Sequence, residues 1–490
     1  MMTEKNDDTT KDPQVASEAT ASETGSEETR GPTRRHKTLI GVAVFAVALL
    51  TVGIALLLVN ITERRTEAQD PFFRVAEIDE TTVDPEVWGQ NFPLHFDLYK
   101  RTLEMEEGVH GGSEALPAVL TADDPRAQTT TDQKIELDPR LVDMWKGYAF
   151  SIDYREARGH AFMLHDQRVT ERVQQFNQPG ACLNCHASTT VLMNDLGDGD
   201  MMAGFAAMNK MPYGEATELV TPPIACIDCH DPDTMALRIT RPAFMEGIAA
   251  LKEHEEGIKD YDVNRDATPS EMRSFVCGQC HVEYYFKGEE KTLTFPWSKG
   301  TTIDDELAYY DEDGHIDWVH EDTGAEMLKA QHPEFELWRE GIHAAAGVSC
   351  ADCHMPYQRE GAMKISDHQV RSPMTNINNA CLTCHSTSED EILQRVETIQ
   401  DRHLHARDVA QNALADLIAD LTEARANGAT DAQLAEAWQY QRKASFYIDW
   451  IVSENSVGFH APAESQRVLL DATDAARMGQ LSLIEALAAG

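Results

Sequence analysis

The spacing of the cysteines constrains this chain more than any other feature. All ten cysteines occur in C-x-x-C pairs, and a histidine directly follows the second cysteine of every pair. No cysteine is left over for a long-range disulfide. The five motifs are Cys182/Cys185/His186, Cys226/Cys229/His230, Cys277/Cys280/His281, Cys350/Cys353/His354 and Cys381/Cys384/His385.

The pattern C-x-x-C-H is typical of covalent c-type haem attachment. Two thiols three positions apart can add to the two vinyl groups of one haem, and the adjacent imidazole can reach the iron from one face. Zinc ribbons also use paired C-x-x-C units, but they need no histidine at the next position. Dithiol redox sites occur singly rather than in sets of five. The sequence therefore predicts five covalent c-type haems.

An apolar segment near the N-terminus predicts a membrane anchor. Residues 38–62 carry no charge, and a helix of this length at about 1.5 Å per residue exceeds the ~30 Å hydrocarbon core. Basic residues 34–37 precede the span, which predicts a cytoplasmic N-terminus and an exported remainder. Residues 1–37 are expected to be a disordered tail. The alternative is a cleaved signal peptide, although its apolar run is usually about 7–15 residues.

The charge of the chain excludes one class of partner. There are 42 Lys and Arg against 83 Asp and Glu, a net charge of −41. Such a field repels phosphate backbones, so nucleic acid is excluded as a partner. Hydrophobic residues make up 42% of the chain, which is enough for a folded core.

The predicted fold is mainly α. Few segments alternate at period two, so we expect few strands, with short helices and loops wrapped around the haems over residues 63–387. Residues 388–490 are expected to form long helices, the first capped by Thr387 or Ser388. Its apolar face includes Val396, Ile399 and His403. Further boundaries are Asn427-Gly428 as a stop, Thr430-Asp431 as a new start, Ser453 as the end of the second helix and Ala463 as the start of the third.

From about Leu137 to the C-terminus, the chain resembles the pentahaem cytochrome c nitrite reductases, which form ammonia. Any one matching block is modest support, but together, in this order and with five haem motifs, the blocks are specific. They are Asp138–Val142 with Trp145, Gly147 and Tyr148, Arg158-Gly159-His160, Cys277–Phe286, Phe295-Pro296-Trp297, Leu328–Glu334, Gly341-Ile342-His343, Asp367-His368 and His460-Ala461-Pro462.

The resemblance implies which irons are saturated. A haem that only relays electrons usually carries two strong axial ligands, whereas a catalytic haem keeps one position free. By resemblance, the haem on Cys182 and Cys185 is catalytic and the other four are bis-histidine relays. The implied second ligands are His368 for the Cys226/Cys229 haem, His160 for the Cys277/Cys280 haem, His460 for the Cys350/Cys353 haem and His343 for the Cys381/Cys384 haem.

The resemblance also implies an active site and a calcium site. Arg172, Tyr284 and His332 would line the open face of the first haem. A guanidinium and an imidazole would give an anion such as nitrite the local positive site that an acidic protein otherwise lacks. The implied calcium ligands are the side chains of Glu283 and Gln331 and the carbonyls of Tyr284 and Lys329. Calcium prefers oxygen ligands, and one ion could fix both Tyr284 and His332 through their neighbours.

The implied activity is the six-electron reduction of nitrite to ammonium on the periplasmic side of a bacterial inner membrane. A membrane-bound, quinol-oxidising multihaem cytochrome would supply the electrons, and the C-terminal helices would form a homodimer interface. One residue departs from many family members, which carry lysine as the last residue of the first motif where this chain has His186. Two alternatives therefore stay open. One is an electron carrier with five saturated haems, and the other is a reductase of another small species such as hydroxylamine or sulfite.

Overall fold

The computed structural model describes residues 34–67, 72, 74–104, 108–110 and 131–489. The chain divides into two units, Met1–Pro71 and Phe72–Gly490. The described part of the first unit is one helix, α1, Arg34–Glu67. Its segment Lys37–Thr62 is long and apolar enough to cross a membrane, a property that an N-terminal signal sequence shares.

Helix α1 is longer than the predicted span. It includes residues 34–37, which the sequence assigned to the tail, and it continues past residue 62 to Glu67. Arg, Lys and Glu are good helix formers, so nothing at either end of the apolar run stops the helix. The remainder of the predicted disordered tail, residues 1–33, lies outside the described residues.

The second unit is mainly helical, as the sequence predicts. Its helices are α2 Pro85–Asn91, α3 Pro93–Lys100, α4 Lys134–Leu137, α5 Arg140–Met144, α6 Met163–Val169, α7 Glu171–Gln175, α8 Leu183–His186, α9 Thr190–Leu196, α10 Met201–Lys210, α11 Tyr213–Ala216, α12 Cys226–Cys229, α13 Pro242–Glu256, α14 Val263–Asp266, α15 Pro269–Gly278, α16 Ile303–Asp313, α17 Glu334–Arg339, α18 Ile342–Ala345, α19 Cys350–His354, α20 Ile377–Ala380, α21 Glu389–Ala426, α22 Asp431–Ser453 and α23 Pro462–Ala489.

The strands of the described residues form three small antiparallel hairpins, β1–β2, β3–β4 and β5–β6. This agrees with the expectation of few strands. The strands are β1 Tyr285–Lys287, β2 Thr292–Thr294, β3 Trp318–Val319, β4 Glu326–Met327, β5 Tyr357–Glu360 and β6 Met363–Ser366.

Three long helices close the chain with boundaries close to those predicted. Ser388 caps α21: its hydroxyl accepts from the Glu391 N–H, and the Glu391 side chain accepts from the Ser388 backbone. Such a reciprocal cap satisfies donors that the first helical turn leaves free. Helix α21 ends at Ala426, α22 spans Asp431–Ser453, and α23 starts at Pro462, one residue before the predicted Ala463.

Two apolar cores meet at the segment that carries the predicted active-site histidine. Leu328 and Ala330 belong to the core that α21, α22 and α23 share. Phe335 belongs to the second core, which contains Trp297 and contacts Tyr284. Gln331 and His332 lie between these two anchored stretches, so packing on both sides restrains the backbone that presents them.

Candidate haem and active site

Each haem motif lies at or beside a short helical turn. The first and second motifs are on α8 and α12, the third ends α15, the fourth is on α19, and the fifth follows α20. A spacing of three residues places two side chains on the same side of a helical turn, which suits attachment of both thiols to one haem. All ten cysteines lie in the described part of the chain, and none forms a disulfide there.

Four of the five motifs line one connected cavity of about 1930 Å³. This exceeds the roughly 300–1,000 Å³ of a pocket for a drug-sized ligand. The lining contains the motifs that begin at Cys226, Cys277, Cys350 and Cys381, but not the motif that begins at Cys182. The thiols and the space beside them therefore fit several porphyrins, and the first motif lies next to the third, since Cys280 Sγ is 3.9 Å from the Asn184 carbonyl oxygen.

The structure brings together the four histidine pairs that the resemblance implies. Two metal–nitrogen bonds of about 2 Å each, with the two ring radii, place imidazole centroids roughly 6 Å apart across one ion. The observed ring-centroid distances are 6.2 Å for His160–His281, 6.3 Å for His230–His368, 6.3 Å for His354–His460 and 6.3 Å for His343–His385. The pairs therefore have the spacing that one iron needs, and their role as axial ligands stays a prediction.

Backbone carbonyls orient several of these imidazoles. A carbonyl that accepts from the Nδ1–H leaves Nε2 with its lone pair free for a metal. The contacts are His186 Nδ1 to Met163 O at 3.0 Å, His230 Nδ1 to Met235 O at 3.1 Å, His354 Nδ1 to Arg371 O at 3.0 Å and His368 Nδ1 to Ser366 O at 3.0 Å.

Burial keeps these imidazoles in the neutral form that metal ligation requires. It lowers the pKa of His160, His186, His354 and His368 to about 4 in each case. His460 differs, because its Nδ1 lies 2.6 Å from a carboxylate oxygen of buried Glu454. Burial is the largest single influence and lowers the pKa of His460, but the charge and hydrogen bond of Glu454, together with Cys350 and Glu334, shift the pKa upward overall.

His186 is the exception among the motif histidines. No ring pair within the described residues joins it to a second histidine. Burial lowers the pKa of His186, and the nearby charge of Arg172 lowers it further. The same guanidinium also lowers the pKa of Cys182 and Tyr284, against the larger upward effect of burial. Arg172 and Tyr284 are thus brought together beside the first motif.

Neighbouring side chains hold Arg172 in place. Its guanidinium carbon lies 4.2 Å from the centroid of the Phe150 ring. Its Nε donates to Thr170 Oγ1 at 3.3 Å, and that hydroxyl donates to Asp153 Oδ2 at 2.7 Å. A guanidinium is a delocalised cation, so Arg172 places positive charge beside the first motif.

Tyr284 and His332 provide neutral polar groups at the same place. Burial raises the pKa of Tyr284, so its phenol keeps its proton. Burial is the main reason that the pKa of His332 falls to about 4. The charge of Glu334 raises this pKa, whereas His281 and His186 lower it further. At neutral pH the His332 imidazole is therefore uncharged and donates one N–H, while Arg172 supplies the positive charge.

Three of the four predicted calcium ligands, Glu283, Lys329 and Gln331, lie together. Glu283 is fully buried, and its carboxylate accepts from the Gln331 N–H at 2.5 Å and from the Tyr310 hydroxyl at 2.8 Å. The Gln331 side-chain amide lies 3.5 Å from the Lys329 carbonyl. A carboxylate, an amide and carbonyls form the all-oxygen donor set that calcium prefers. The described residues contain no cluster of three His, Cys, Asp or Glu that could hold a metal, and this set needs only one such residue.

The sequence did not predict the residue of α22 that binds the segment from Lys329 to His332. Asp449 on α22 accepts from Lys329 Nζ at 2.7 Å and from the Ala330 N–H at 3.0 Å. Ser453, one turn later, donates its hydroxyl to Ala330 O at 3.2 Å. The only signal in the sequence is a charged residue between Ile448 and Trp450. Glu454, which faces His460, was also missed.

Comparison with known proteins identifies the family. Residues 84–490 match the cytochrome c552 family.

The chain belongs to the cytochrome c552 family.

Two curated relatives have the same name. Cytochrome c-552 of Bacteroides fragilis is 37% identical over 464 residues, which cover 93% of this chain and 88% of the relative. Cytochrome c-552 of Porphyromonas gingivalis is 34% identical over 466 residues, which cover 93% and 87%. Membership of this cytochrome c family implies covalent haems.

A solved structure has the same fold. It is the catalytic subunit of cytochrome c nitrite reductase from Desulfovibrio desulfuricans, a protein with two calcium sites. The match has a TM-score of 0.71 and 28% identity, and it covers 83% of this cytochrome c552 family member and 87% of the solved chain.

Proposed function

We propose that this protein reduces nitrite to ammonium, with six electrons delivered at the haem on Cys182 and Cys185. One observation carries the proposal. Four motif histidines face a second histidine at 6.2–6.3 Å, whereas His186 has no such ring partner within the described residues. Saturated haems relay electrons and an open haem binds substrate. The likeness to a cytochrome c nitrite reductase supports nitrite as that substrate.

The chain's own side chains would hold the anion. The haem that Cys182, Cys185 and His186 would hold would supply the redox chemistry. Arg172 gives the positive charge that attracts nitrite into an otherwise acidic protein, and Phe150 and Thr170 hold it in place. Tyr284 and His332 donate hydrogen bonds to the oxygens and pass protons as those oxygens leave as water.

Calcium would position two of these side chains at once. Glu283 precedes Tyr284, and Gln331 precedes His332. In the described structure the Glu283 carboxylate already accepts from the Gln331 N–H. An ion bound between them would fix the backbone on both sides of the substrate site.

The four remaining haems would form the electron path. Their motifs line one cavity, so neighbouring porphyrins would lie in contact. We propose that a membrane-bound, quinol-oxidising multihaem cytochrome supplies the electrons and that α1 anchors the enzyme beside it on the periplasmic side. We also propose a homodimer formed through the long C-terminal helices.

A second function stays open because of one observation. His186 lies close enough to His332 to lower its pKa, so His332 could serve as a sixth ligand instead. The protein would then be an electron carrier with five saturated haems. Reduction of another small species, such as hydroxylamine or sulfite, is the remaining alternative.

Two measurements separate these functions. The spectrum of the ferric holoprotein should contain one high-spin haem that changes on addition of nitrite or cyanide. With reduced viologen as donor, nitrite should be consumed and ammonium formed in equal amounts, faster than hydroxylamine or sulfite is reduced. A fully low-spin spectrum that nitrite does not change would establish the carrier function instead.

A further inference from the structure

Two basic side chains on α21 line the haem cavity, and each has an enclosed nitrogen without a hydrogen-bond partner among the described residues. His403 is 2% exposed, and its Nδ1 has no hydrogen-bond partner among the described residues. Arg407 lies one turn later on the same face of the helix, and its enclosed Nε also lacks a partner there. Both residues line the cavity shared by four haem motifs.

Leaving these groups unpaired is unfavourable. A cation that is withdrawn from water without an anion beside it loses hydration that nothing replaces. Burial lowers the pKa of Arg407, and the nearby Asp138 and Asp408 do not offset this effect. Burial likewise lowers the pKa of His403 to about 3, so its imidazole is neutral at neutral pH.

The nearest carboxylates are already occupied by other cations. Asp138 accepts from Nε and Nη2 of Arg140, each at 2.8 Å. Asp408 accepts from Nη2 of the same Arg140 at 2.7 Å. Glu156 pairs with Lys134 at 3.7 Å. Among the described residues Arg407 therefore forms no ion pair, because the carboxylates near it bind other cations, and an anion in the cavity would supply the partner it lacks.

The position of His403 indicates which haem is involved. Its ring packs against Gly458, where φ is +79° and an added Cβ would collide with the imidazole Nδ1. One turn earlier on α21, Gln400 Nε2 donates to Ser456 O at 3.2 Å. Gly458 and Ser456 belong to the segment that leads to His460, so these contacts hold α21 next to that segment.

We propose that His403 and Arg407 form a carboxylate-binding pair for a propionate of the haem expected between His354 and His460. Arg407 supplies the charge and His403 supplies a hydrogen bond. This inference rests on the haem occupancy in the proposed function, but not on nitrite as substrate. Because a guanidinium beside a propionate cancels its negative charge in a low-dielectric site, it makes reduction of that iron easier.

The test is a spectroscopic redox titration of the full-length holoprotein. Arg407→Met removes the charge, and Arg402→Met is the matched control because Arg402 lies on the same helix but is exposed. The expected result for Arg407→Met is about a tenfold fall in the equilibrium constant for reduction of one low-spin haem, which corresponds to about 59 mV for one electron. His403→Phe should lower the same potential by less, since the imidazole carries no charge. Arg402→Met should leave all five potentials unchanged.

The haem count of each variant is measured first. If Arg407→Met and His403→Phe retain every haem and all potentials match the wild type, the proposal is overturned. An equal shift in Arg402→Met also overturns it, because the effect would then be one of general charge. If Arg407→Met loses a haem, the proposal is judged from the potentials of His403→Phe alone. Fewer than five haems in the wild type would instead contradict the proposed function. If the wild type holds five haems but does not reduce nitrite, the redox titration still tests the propionate proposal.

Discussion

Replacing Asp449 with asparagine tests the contact that secures the active-site segment. Asp449 is fully buried, the Lys329 side chain is 1% exposed, and their charged atoms lie 2.7 Å apart. The amide oxygen of the introduced asparagine could still accept from the Ala330 N–H. Asp449→Asn therefore removes the charge while keeping the shape, and it leaves the Lys329 ammonium buried without its anion.

The magnitude follows from how the pair is balanced. Burial raises the pKa of Asp449 even though Lys329 opposes the shift, so desolvation of the carboxylate exceeds the attraction it gains. The pair as a whole thus adds little stability, whereas breaking one side of a buried pair costs about 3–5 kcal/mol. Lys329 Nζ also lies 4.8 Å and 4.6 Å from the ring centroids of Trp145 and Phe150. These rings compensate part of the lost charge, so we expect a loss of about 3 kcal/mol.

A double-mutant cycle measures this effect. Guanidinium unfolding of the holoprotein would compare Asp449→Asn, Lys329→Met and the double variant with the wild type. The double variant should be more stable than Asp449→Asn alone, because it no longer buries a single charge. Additive losses, or a loss below about 1 kcal/mol for Asp449→Asn, would refute the reasoning. The same variant should bind calcium more weakly, since Lys329 and Gln331 lie on the loosened segment.

Three further predictions concern the proposed site. Arg172→Ala or His332→Asn should lower nitrite turnover by about 10²–10³-fold with no loss of haem, and normal turnover in either purified variant would refute their roles. Glu454→Gln should raise the midpoint potential of the haem that His460 serves, because a carboxylate 2.6 Å from its Nδ1 favours the ferric state; a spectroscopic titration with an unchanged or lower potential would contradict this. Chelation of calcium should lower nitrite turnover and added calcium should restore it, while a Glu283→Gln variant should show no restoration.

Much of the fold could be predicted because its signals are local. The Ser388 cap, the turn after Ala426 and the start of α23 at Pro462 each depend on a few adjacent residues. The haem motifs are local in the same sense, since each thiol pair and its histidine span five consecutive residues. The periodicity of apolar residues predicted the long helices, but it did not predict which apolar helix faces pack together or which one lines the haem cavity.

The candidate site depends on contacts between distant parts of the chain. His230 and His368 approach each other only through the fold, and their pairing was available from family resemblance rather than from spacing. His403 was predicted as part of the apolar face of α21, and it is indeed buried, but its lack of a partner is visible only in three dimensions. Asp449 has no local signal beyond its charge, because its partner Lys329 is on another element.

The net charge of −41 gains a different meaning once positions are known. Acidic side chains outnumber basic ones by 83 to 42, so a basic side chain in this chain can readily find an acidic partner. Arg140 binds both Asp138 and Asp408. Within the described part of the chain, Arg172 and Arg407 form no ion pair, and both lie beside space where a haem or its substrate would sit. Other arginines without an ion pair there, such as Arg168, bind backbone carbonyls instead, whereas Arg172 and Arg407 lie beside space that an anion from outside the polypeptide could enter. That reasoning leads to nitrite for Arg172 and to a propionate for Arg407.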